Sequence, residues 1–121
     1  PGEALVNDNV VKKIIGNRSA RVEGVRGQRG NVIDNSTGAF SDDGGTRGLN
    51  LHTQGSQAEV GVKVMVLYGA SIPEIIKAIQ ENVHRDLLAM AGLNASRIQV
   101  DITDVLTQKE YDEKYNKGRK E

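Results

Sequence analysis

The chain has 121 residues, 16 basic and 16 acidic side chains and no cysteine. That length suits one domain able to bury roughly two-thirds of its unfolded surface without a metal or disulfide. The zero net charge gives no global attraction to nucleic acid or anionic lipid, and the missing cysteines exclude thiol catalysis, cysteine-ligated zinc and disulfides.

The first predicted helix starts near residue 7, with Asn7 as its cap and Val10, Val11, Ile14 and Ile15 as its buried face. Ala20, Val22 and Val25 extend the apolar side, so the helix is expected to end near Gly24 or Gly27. Between residues 12 and 29 lie six basic residues, Lys12, Lys13, Arg18, Arg21, Arg26 and Arg29, against one acid, Glu23. Within this stretch Gly24-Val25-Arg26-Gly27 and Gly27-Gln28-Arg29-Gly30 both match the GxxG pattern by which KH domains let an RNA backbone approach. A KH-like nucleic-acid module over Gly24–Gly30 is therefore one functional reading. A basic surface docking an acidic protein or lipid head groups is another.

From residue 27 to 48 the composition turns to Gly, Asn, Ser, Thr, Asp and Arg, a predicted flexible loop of about 20 residues with Asp42-Asp43-Gly44-Gly45 as its tip. Leu49, Leu51 and Thr53 then alternate with polar residues as in a half-buried strand, Gly55-Ser56-Gln57 offers a turn, and residues 58–68 form a longer strand. An antiparallel hairpin is expected. On its second strand Val60, Val62, Val64, Val66 and Tyr68 share the face under the helices, leaving Met65 and Leu67 on the far face.

Residues 72–91 read as a complete helix. Ser71 caps it, Glu74 completes a capping box, Pro73 falls in the first turn, and Gly92 stands at the left-handed end. Ile72, Ile76, Ile79, Val83, Leu87 and Met90 are assigned to its buried stripe, with Lys77, Gln80, Glu81, His84 and Arg85 in water. A third strand follows at Ile98, Val100 and Ile102, extended by Val105, pairing either parallel to the second strand or antiparallel to the first. The charged tail, 107–121, carries Tyr111 and Tyr115 four residues apart.

The order is helix, strand, strand, helix, strand. Two helices on one face of a small three-stranded sheet satisfy these apolar patterns, so the expected fold is a two-layer α+β domain over residues 1–106. No catalytic constellation is recognisable. His52 and His84 have no ligand-like spacing, Ser71 serves as a cap, and neither phosphate-loop nor dinucleotide motif occurs. The expectation is a non-enzyme with no cofactor and no small-molecule substrate. No apolar run is longer than five residues, so a soluble intracellular chain with no direct membrane insertion is expected. Met65, Leu67, Tyr111 and Tyr115 are the candidate self-association residues.

Several segments together resemble the alkaline shock protein 23 family, the Gls-type general stress proteins of Gram-positive bacteria. They are residues 10–15 followed by Val22-Glu23-Gly24-Val25; the hairpin segments 48–54 and 58–68; Tyr68-Gly69 leading into Ile72-Pro73-Glu74; Gln80-Glu81-Asn82-Val83; Met90-Ala91-Gly92-Leu93; and residues 98–105 ending Asp104-Val105. They cover nearly the whole chain in the same order. The resemblance implies a non-enzymatic cytoplasmic protein gathered at the inner face of the membrane by a membrane anchor protein, able to self-associate, and active in cell-envelope homeostasis under stress. It implies no catalytic residues.

Overall fold

The computed structural model describes residues 6–28 and 49–113. Its elements, in chain order, are α1 (Asp8–Ala20), β1 (Val25–Gln28), β2 (Leu49–Gln54), β3 (Gln57–Leu67), α2 (Ile72–Ala91), β4 (Asn94–Leu106) and α3 (Gln108–Tyr111). The two-layer α+β architecture is as expected. Among the described residues, however, the sheet has four strands, because part of the glycine-rich segment pairs as β1.

β3 is the central strand, and its alternation explains why. Ala58, Val60, Val62, Val64 and Val66 are each buried, and β-branched valines suit a pleated, packed surface. β4 runs parallel to β3 along its whole length, from Gln57↔Asn94 to Leu67↔Leu106. The parallel alternative for the last strand is therefore the one adopted, with α2 as the crossover. β1 and β2 both pair antiparallel with β3, so they must share its other edge. Gln28 lies opposite Val64 and Leu49 opposite Val62, so the chain leaves this edge and rejoins it two positions away. The centre of the predicted loop, with its Asp42-Asp43 tip, falls between these points and outside the described residues, as does Arg29.

The β2–β3 connection is a two-residue turn, Gly55-Ser56, closing on the Gln54↔Gln57 pair. Gly55 has φ +60, the glycine-first pattern that matches strand twist in a tight hairpin. The longer turn expected through Gln57 gives way because that residue already belongs to the ladder.

α2 begins and ends where its sequence signals stand. Ser71 accepts from the Glu74 N–H at 3.4 Å, a cap worth about 1 kcal/mol. Gly92, at φ +68, closes the far end, and the Leu93 N–H reaches back to the Leu87 carbonyl. The buried stripe differs from the predicted one. Ile75, Ile79, Val83 and Leu87 face the core, whereas Met90 is 67% exposed and Ile72 and Ile76 are half-buried. The four buried positions are each four residues apart, one row of the helix surface laid along the sheet.

α1 is shorter than expected, ending at Ala20. Val11, Ile15, Gly16 and Ser19 form its inner side, while Val10 is 50% exposed and Ile14 half-buried. The helix stops because the chain must turn into β1 at Gly24, whose φ of +97 no other residue type adopts readily. Tyr68 also departs from expectation. It lies beyond β3 in the turn before α2 and is exposed, not under the helices.

On the far side of the sheet Met65 packs with Leu106 and Tyr111 in a small second cluster. α3 brings Tyr111 there. Thr107 caps it through a reciprocal box, accepting from the Glu110 N–H at 3.0 Å while the Glu110 carboxylate accepts from the Thr107 N–H at 2.9 Å. The opening of the predicted tail is thus part of the folded domain.

Candidate interaction surfaces

The basic residues singled out in the sequence do not converge. At about 100° per residue, Lys12 and Lys13 point in directions different from each other and from Arg18 and Arg21, which are three residues apart and share one side of α1. Arg18 is committed to structure. Its Nε and Nη2 donate to the Asp86 carboxylate at 2.6 and 3.3 Å, tying α1 to α2 in a part-buried, two-pronged ion pair. Arg21 donates to the Asn17 side chain one turn back at 2.8 Å, and Arg26, on β1, donates to the Val25 carbonyl at 3.3 Å. Lys13 is exposed and Lys12 half-buried.

The first GxxG match is not a loop between helices. Gly24 is buried in the α1–β1 turn, where a Cβ would lie 2.9 Å from Ile75 Cδ1 and 3.1 Å from Ala70 Cβ. Gly27 sits in the β1 ladder opposite Met65. Gly24 allows the turn to pass close against α2. The geometry of a KH-type phosphate clamp is not formed there, and the second match extends beyond the described residues.

The self-association residues divide. Met65 is 7% exposed and Tyr111 7% exposed, packed with each other and Leu106, which corrects the expectation that the sheet leaves Met65 open. Leu67 is half-buried at the end of β3, and Tyr115 lies outside the described residues.

Two further surfaces stand out. One is a cleft of about 680 Å³ where the α1–β1 turn meets the β3–α2 turn, walled by Glu23, Arg26, Tyr68 and Glu74. Tyr68, 71% exposed, is the large aromatic side chain this cleft presents. The other is an open hollow of about 410 Å³ on the far face of the sheet, lined by Asn50, His52, Glu59, Lys63, Arg97 and Asp101 among others. Each of these reads in the sequence as an ordinary polar strand position. Only the strand register shows that they lie together.

Among the described residues no group of three His, Cys, Asp or Glu side chains could hold a metal ion, and no helix is long and apolar enough to cross a membrane. His52 and His84 lie far apart, on β2 and α2, and both are exposed.

Comparison with known proteins adds to this picture. YqhY of Bacillus subtilis (strain 168) is 26% identical over 104 residues, 86% of this chain and 77% of that protein. A protein of Streptococcus pyogenes serotype M3 named stress response regulator gls24 homolog is 23% identical over 112 residues, 92% of this chain and 63% of its own length. The chain thus spans less than two-thirds of the gls24 homologs it matches. Among solved structures, the zinc form of a MamM CTD variant has a TM-score of 0.54 at 18% identity, covering 80% of this chain and 85% of the other. The manganese form of a second variant has a TM-score of 0.55 at 17% identity, covering 81% and 99%. At these identities the likeness is one of fold. A family model matches residues 1–107, and on that match the chain belongs to the alkaline shock protein 23 family, which has a cell envelope-related function.

Proposed function

We propose that this chain is a non-enzymatic scaffold of cell-envelope stress homeostasis, held at the inner face of the membrane by a membrane anchor protein and associating with copies of itself. The observation that carries the reading is the family match over residues 1–107 with its cell envelope-related description. The naming of the gls24 homologs as stress response regulators supports the stress setting. The fold fits a scaffold. Most of the apolar side chains of the described residues pack in one core between helices and sheet or in a small cluster beneath α3, which leaves extended polar faces and a cleft for contact. Lys13 and Arg21, exposed on α1, and the Tyr68 cleft are the sites offered to an anchor protein.

Recruitment through a partner predicts where the protein is found. A fluorescent fusion in its own cells should trace the cell outline during envelope stress. Even filling of the cytoplasm, or signal coinciding with the nucleoid, would contradict the scaffold and favour the nucleic-acid reading.

A further inference from the structure

The inference rests on the self-association in the preceding reading and names the surface that performs it. On the sheet face away from α1 and α2, side chains from three strands form rows across β2, β3 and β4. Strand register sets the rows: His52, Glu59 and Arg97; then Asn50, Gly61 and Gln99; then Lys63 and Asp101. All of them line the far-face hollow.

The four charges stand at the corners of a quadrilateral. Negative Glu59 lies beside positive Arg97, and two residues along the strands positive Lys63 lies beside negative Asp101. Among the described residues none of these four forms an ion pair. Arg97 and Asp101 are bridged instead by the Gln99 amide, at 3.3 and 3.4 Å.

This pattern is its own complement. A second copy turned over about a two-fold axis along the Asn50–Gly61–Gln99 row lays its strands antiparallel over their counterparts. Glu59 then faces Lys63 of the second copy, Arg97 faces Asp101 of the second copy, and symmetry repeats both pairs. On the axis Asn50 and Gln99 meet their own copies, and a primary amide both donates and accepts, so each can pair with itself. Gly61 meets Gly61, where the missing side chains let the two sheets approach. Nothing among the described residues requires that glycine. Its φ is not positive, and a Cβ would make an ordinary 3.5 Å contact with Asn50 Cβ. A different two-fold, parallel to the strands and between β3 and β4, would also match charges but would leave β2 uncovered.

We propose that this polar sheet face binds a second copy of the chain about the two-fold through Gly61. Contacts of this kind are weakened by salt and misdirected by like charges. The test is sedimentation of the full 121-residue chain at about 50 mM and about 500 mM salt. The wild type should dimerise at low salt and dissociate at high salt. Glu59→Lys and Lys63→Glu should each weaken dimerisation by about tenfold or more, since each places like charges together twice. An equimolar mixture of the two should dimerise again as a heterodimer, because every clash becomes an opposite pair. A mixture of Glu59→Lys with Arg97→Glu should not. Arg97→Glu with Asp101→Lys forms an independent second pair of the same design, and circular dichroism like that of the wild type verifies the fold of each variant.

Wild-type dimerisation in the single variants, or rescue of Glu59→Lys by Arg97→Glu in preference to Lys63→Glu, would overturn this assignment while leaving self-association standing. A wild type monomeric at every concentration would overturn both the assignment and the self-association on which it rests.

Discussion

Replacing Ile79 by Asp should lower stability by about 4–5 kcal/mol or more, enough to unfold a domain whose total is of order 5–15 kcal/mol. Ile79 is 0% exposed at the centre of the α2 row, beneath which the β3 valines lie. An aspartate there either stays ionised with no partner or takes up a proton, and in both states it loses the apolar contacts of the isoleucine. The informative control is Met90→Asp on the same helix. Helical periodicity admits Met90 to the buried stripe, but the side chain is 67% exposed, so the substitution should cost no more than about 0.5 kcal/mol. Thermal or urea unfolding of the two variants separates these placements. Equal losses would mean that α2 lies on the sheet with a different rotation.

The second large effect is expected at Gly24. Gly24→Ala should destabilise by about 2–4 kcal/mol, combining a positive φ with an overpacked contact. The new methyl would lie 2.9 Å from Ile75 Cδ1 and 3.1 Å from Ala70 Cβ. Ile75 is itself buried, so its terminal carbon can move aside only by disturbing the core. Gly69→Ala separates the two causes. Gly69 has nearly the same φ, +98, yet nothing lies within 4 Å of its ideal Cβ. It should therefore show the backbone cost alone, about 1–2 kcal/mol. If both variants lose the same stability in denaturant titrations, the close approach of the α1–β1 turn to α2 is not what requires glycine at position 24.

What could be read from the sequence follows the range of the interactions that decide each element. The ends of α2 were legible because a cap is local: Ser71, Pro73 and Gly92 act within a few residues of themselves. The β2–β3 hairpin was legible for the same reason. β1 was not, since Val25–Gln28 is short, contains a glycine and is held as a strand by pairing with the end of β3, some forty residues away. The α2 stripe holds at Ile79, Val83 and Leu87, but it omits Ile75 and includes Met90. Steps of three and four admit two neighbouring rows, and only the sheet beneath selects the row beginning at Ile75.

The candidate surfaces show the same division more sharply. A basic run in sequence suggested one charged patch, but a helix distributes such residues around its axis, and Arg18 is taken by Asp86 sixty-eight residues later. Met65 was placed on the far face correctly. What covers it, Tyr111 on α3 and Leu106 at the end of β4, comes from the far end of the chain. The charge quadrilateral around Gly61 draws on β3 and β4, with Asn50 from β2, and becomes a pattern only once their register is known. A polar sheet face used for self-association also differs physically from an apolar one. It stays soluble when unpaired and responds to ionic strength, which suits a scaffold that assembles reversibly.

The central claim, that the chain reaches the membrane through a protein partner, is tested most directly by sedimentation with two kinds of vesicle at physiological salt. Inside-out vesicles prepared from the native membrane should carry the chain down, and protease treatment of those vesicles beforehand should abolish it. Protein-free anionic lipid vesicles should leave it in the supernatant. Equal binding to the protein-free vesicles would contradict the account and assign membrane contact to the chain's own basic side chains.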